Sequence, residues 1–92
     1  MKFIWLKQKG RYQSGEDLFI NKIHVGSYNW NSMMSRNEPD DYKKAHQYVG
    51  HCNLPGLSGK RVYEATPEVI KPFIERMATN WFAEINRDES IK

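Results

Sequence analysis

Cysteine is nearly absent: Cys52 stands alone among the 92 residues, so no internal disulfide can form and no disulfide scaffold holds the fold. A chain of this kind suits a reducing compartment. Long apolar runs are missing as well. The N-terminal run Phe3-Ile4-Trp5-Leu6 stops at four residues, short of the about 7–15 of a signal peptide and the about 20 of a membrane span. The expectation is a soluble, cytoplasmic protein. Internal repeats and low-complexity tracts are also lacking, which leaves one domain over residues 1–92, near the small end of what folds unaided.

Acidic residues are absent from residues 1–15, which carry Lys2, Lys7, Lys9 and Arg11 for a charge of +4. Residues 16–63 come to +1 and residues 64–92 to −2, so the overall +3 is a gradient from a basic start to an acidic end. Such a gradient orients an approaching anion, or serves solvation alone.

Catalytic signatures are missing too. No nucleophile elbow appears, and Cys52 and the serines lack a base with a third group to orient it. "LPGLSGK" ends in Gly-Lys without the spacing of a phosphate loop. His46, His51 and Cys52 lie close in sequence, yet a zinc site needs four ligands in paired spacings, and adjacent His51 and Cys52 point to opposite faces of a strand. Cys52 reads instead as a small core hydrophobe. The expectation is a non-enzymatic protein without metal or other cofactor.

Aromatics are plentiful: three Trp, five Tyr and four Phe, each able to bury roughly 150–250 Å². Strands are predicted at 2–7, at 17–20 and 23–30 around an Asn21-Lys22 turn, at "QYVGHCNL", and at "RVYEA" after the Pro55-Gly56 turn. Residues 31–47 form an irregular insertion in which Pro39, Asp40 and Asp41 open a short helix, with Lys43 and Lys44 following as the helix dipole prefers. The clearest element is a helix over 67–85, capped by Thr66 with Pro67 in its first turn. Ile70, Phe73, Ile74, Met77, Trp81 and Ile85 make its apolar stripe, and Glu68, Lys71, Glu75 and Thr79 its polar side. Pro72 should kink it. A tail, 86–92, follows. The fold class is therefore α+β: an antiparallel sheet of four to five strands with one C-terminal helix packed on one face.

One helix covers one face. If it packs on Ile4, Leu6, Leu18, Ile20, Ile23 and Val25, the other face shows Phe3, Trp5, Phe19, His24, Tyr28 and Trp30. Three fates are open to that face: segment 31–47 folds over it with Met33, Met34 and Tyr42, a second copy meets it in a homodimer, or a partner binds it. Interface cores favour Trp, Tyr, Met and Arg, and "YNWNSMMSR" supplies all four, which makes Tyr28, Trp30, Met33, Met34 and Arg36 the candidate protein contacts. The alternative is nucleic acid, with Trp5 stacking on bases while Lys7, Lys9, Arg11, Lys60 and Arg61 meet phosphates. The plain alternative to both is a polar loop with its methionines tucked inward.

"FIWLK", a middle "LPG", and "YEATPEVIKPFIERMATNWF" are similar to stretches of small phage and prophage proteins. The strand-then-helix ending, mainly residues 61–85, also resembles the arm-binding domain of tyrosine recombinases, from which this chain departs at insertion 31–47 and at Pro72. The phage resemblance implies a small accessory product that binds a host protein stoichiometrically and blocks it.

Overall fold

A computed structural model describes residues 2–9, 15–32, 37–57 and 59–85. Its elements follow in the order β1 (Phe3–Lys7), β2 (Glu16–Ile20), β3 (Ile23–Trp30), α1 (Asp40–Ala45), β4 (Tyr48–Cys52), β5 (Val62–Glu64) and α2 (Pro67–Ile85). The five strands form one antiparallel sheet in sequence order, and α2 lies on β3, β4 and β5. This is the expected α+β architecture.

Local chemistry explains most boundaries. Asn21 takes φ +56° in the β2–β3 turn, a conformation that asparagine tolerates better than most residues. The register slips between Leu18 and Phe19, whose partners are Gly26 and His24, so Val25 is an extra residue in β3. It points inward and is fully buried. Asp40 and Asp41 start α1, and Lys43 and Lys44 end it, matching the dipole at both ends. The helix α2 runs on through Pro72; the proline is exposed on the side away from the sheet.

The covered face is the expected one for Leu18, Ile20 and Val25, but not for β1 or Tyr28: Phe3, Trp5 and Tyr28 lie on the helix side, and Ile4 and Leu6 on the far side. Residues paired across an antiparallel ladder share a face, so Trp5, Leu18, Gly26 and Cys52 form one row and Lys7, Glu16, Tyr28, Gly50 and Val62 the next. These are the rows beneath α2. A Cβ on Gly26 would lie 3.0 Å from Ile74 Cγ2, and one on Gly50 would lie 2.6 Å from Ile74 Cδ1. Two bare backbones in neighbouring strands thus make a landing for Ile70 and Ile74. Trp5 and Tyr28 stand beside that landing and pack edge to face, 5.7 Å apart. Phe3, Ile20 and Tyr48 pack against the same core.

The far face carries Ile4, Leu6, Phe19, His24, Val49, His51 and Tyr63. Ile4, at 39% exposure, and Leu6, at 53%, are open to solvent there. The core itself is small: Leu18, Val25, Cys52, Ile70, Ile74 and Ala78 have no exposure at all. Fully burying each of its aliphatic side chains contributes roughly 1.5–3 kcal/mol.

Candidate functional site

The helix α2 presents two apolar rows at i, i+4 spacing. Ile70, Ile74 and Ala78 are buried against the sheet. Phe73, Met77 and Trp81 lie about 60° round the helix, toward β5, with Met77 and Trp81 half-buried against the core. Phe73 is 44% exposed. A groove of about 750 Å³ follows this second row, with Val62 of β5 and Leu57 as its other wall and Lys60, Arg61, Asn80 and Glu84 about it. That volume lies within the roughly 300–1,000 Å³ usual for binding clefts.

The wall opposite α2 is held by turns. Leu57 N–H donates to the Leu54 carbonyl at 2.9 Å, and Lys60 N–H to the Leu57 carbonyl at 2.9 Å. Gly56 sits at φ +86°, where a side chain would be strained. The indole N–H of Trp81 donates to the Pro55 carbonyl at 2.8 Å. This bond fastens the helix to the turn and leaves the ring as a wall of the groove. The site is apolar inside, polar at its edge and backed by fixed backbone.

On the other flank of α2, a polar joint ties helix to sheet. Tyr28 donates its hydroxyl to Glu16 Oε2 at 2.5 Å, Lys71 pairs with the same carboxylate, and Trp5 donates its indole N–H to Glu75 Oε2 at 2.7 Å. The Lys71 ammonium lies 5.7 Å from the Trp5 ring centre. Burial by itself raises the Glu16 carboxyl, but the hydrogen bonds from Lys71 and Tyr28 and the charges of Lys71 and Lys7 outweigh it and hold the group below its ordinary value. Burial, then the bond to Glu16, pushes the Tyr28 phenol far up. Lys71 and Glu75 therefore face the sheet, whereas the spacing placed them on the solvent side.

Of the expected protein contacts, Tyr28 is 4% exposed, beneath α2, with its hydroxyl committed. It belongs to the core, because the glycine landing draws the helix onto its face. Trp30 is 47% exposed at the end of β3, packed edge to face on Tyr48 at 5.4 Å. Met33, Met34 and Arg36 lie outside the described residues. Part of insertion 31–47 is closed by Asn31, whose amide donates to the His46 carbonyl at 2.9 Å. Tyr42 stacks on His46, and His46 meets Tyr63 on the far face.

The basic set does not converge. Trp5 lies under the helix. Arg11 lies outside the described residues, and Lys7 and Lys9 border a shallow hollow of about 500 Å³ beside Leu6 and Phe19. Lys60 and Arg61 sit at the opposite edge: Lys7 and Val62 end the same cross-strand row, four strand spacings or about 19 Å apart.

Reading the helix stripe as core missed Phe73, Met77 and Trp81 as groove residues. The sequence carried no signal for this, because apolar residues at i, i+3, i+4 and i+7 are the ordinary core-facing stripe of a helix.

Cys52, fully buried, donates its thiol toward the Ile74 carbonyl at 3.6 Å, and burial pushes the thiol up to about 11, as in an inert structural cysteine. Among the described residues no three His, Cys, Asp or Glu side chains are grouped to hold a metal, and no helix is long and apolar enough to cross a membrane. Compared with family models, curated proteins and solved structures, the chain matches none.

Proposed function

We propose that this chain is a non-enzymatic binding module that takes a segment of another protein in the groove between α2 and β5. The observation that carries this reading is the second apolar row of α2, in which Phe73 is 44% exposed and Met77 and Trp81, half-buried against the core, turn the rest of their surface to the groove. Packed apolar rows left at a surface with a polar edge mark interaction sites, and a Trp and a Met are residues that interface cores favour. The resemblance to small phage proteins extends the proposal to stoichiometric blockade of a host protein. Nucleic acid is the weaker reading, because Lys7 and Lys9 lie across the sheet from Lys60 and Arg61 and Trp5 already spends its N–H on Glu75.

The test is selection from random dodecapeptide libraries on the wild-type chain, with recovered peptides re-measured on Phe73→Glu. Because Phe73 is exposed, the variant should fold, which circular dichroism checks. Recovered peptides should bind the wild type and lose at least about tenfold in affinity, roughly 1.4 kcal/mol, on the variant. Peptides indifferent to Phe73→Glu would sink the reading. Labelled single-stranded and duplex DNA, titrated in parallel, should not bind; tight binding that falls steeply with salt would favour the nucleic-acid reading instead.

A further inference from the structure

The groove has a strand as one wall, and that strand is an edge. β5 pairs with β4 alone, through Gly50–Val62, Val49–Tyr63 and Tyr48–Glu64, and stands last in the sheet. Its outer edge therefore presents backbone groups that no neighbouring strand among the described residues takes up, a template for one more strand. The edge is short, three residues, which limits what can pair there; its pairing on β4 is regular, with no bulge to turn it away. Val62 and Glu64 share the face beneath α2, and Tyr63 points to the far face. A strand laid beside β5 would put every second side chain into the groove, against Phe73, Met77 and Trp81, and the others beside Tyr63.

Charge narrows the occupant further. Lys60 and Arg61, both exposed, lie where β5 begins, and neither forms an ion pair among the described residues. Glu84 is the single acid of the groove lining, at the far end of the helix row. The start of β5 is thus cationic and suits carboxylates, whereas Glu64 closes the strand at its other end, and the floor between is apolar.

We propose that the occupant is an extended, acid-bearing segment of a partner protein that adds to the sheet as a sixth strand along β5, its alternate apolar side chains seated on the α2 row. This rests on the groove being the binding site, and it adds the conformation and charge of what binds. A helical occupant would also fit an i, i+4 row, but it would leave the β5 edge unpaired by protein.

Two dodecapeptide libraries distinguish the cases, one patterned apolar at every second position and one apolar at i, i+3 and i+4, each with free choice elsewhere. The alternating library should yield the binders, enriched in Asp and Glu. Single N-methylation along a selected peptide should abolish binding at the one or two positions, two residues apart, whose N–H meets the three-residue β5, and leave the other positions within a few-fold. The double variant Lys60→Glu, Arg61→Glu should weaken binding by roughly tenfold at low salt and by less at high salt.

Binders from the helical library, no sensitive position in the N-methyl series, or indifference to the charge reversal would each overturn the inference, with the groove reading intact so long as Phe73→Glu still abolishes binding. Dimerisation of the chain lost on Phe73→Glu would overturn it as well, making the occupant a second copy. If neither library yields a peptide lost on Phe73→Glu, the groove reading falls first and the inference with it.

Discussion

Glu16 accepts from both Tyr28 and Lys71 at the joint between β2 and α2, and its depressed carboxyl couples that joint to pH. A group whose folded value lies below its unfolded one contributes stability that is complete above the unfolded value and is lost as pH falls through the folded one. Wild type should therefore lose this contribution on acidification below about the ordinary 4.5. Glu16→Gln should cost about 1–3 kcal/mol near neutrality, since hydrogen bonds to charged groups are among the stronger ones. In urea denaturation across pH, the gap between wild type and variant should close in acid; a constant gap would show that the charge of Glu16 contributes nothing. The chemical types at this joint were plain in the sequence. Their meeting was not, because Lys71 and Glu75 read as solvent-facing residues until Gly26 and Gly50 decide which face of the sheet receives the helix.

The two rows of α2 make opposite predictions for substitutions one residue apart. Ile74→Ala empties a fully buried site over the two glycines and should cost about 2–5 kcal/mol. Phe73→Ala removes a ring that is 44% exposed and not covered by the sheet, and should change stability by within about 0.5 kcal/mol. Thermal or chemical denaturation of both variants checks the contrast; equal losses would mean that Phe73 is core. Element order and boundaries were legible because their signals are local: Pro67 opening the helix, Asn21 in its turn, Asp40 and Asp41 before Lys43 and Lys44. The covered face was not, because alternation along β3 says only that Tyr28 and Val25 differ in direction, and the bulge at Val25 then buries both. Two glycines in neighbouring strands, under a helix rich in isoleucine, were the sequence's available clue to the landing.

Over the whole molecule, a sheet of five strands meets a helix that lies on β3, β4 and β5 and carries two apolar rows. At β5, the last strand of the sheet among the described residues, the second row of α2 borders a groove with a strand edge and two cations at its entrance. The far face, with Ile4, Leu6 and Phe19, is the competing surface; the alternation placed Phe19 and His24 on it correctly, but also Phe3, Trp5, Tyr28 and Trp30, which lie on the helix side. The deciding measurement is a titration of the isotope-labelled chain with a library-selected peptide, followed by amide and side-chain chemical shifts. The account predicts that shifts concentrate on Leu57, Val62, Phe73, Met77 and the Trp81 indole. Shifts centred on Ile4, Leu6 and Phe19, with the groove unmoved, would contradict it.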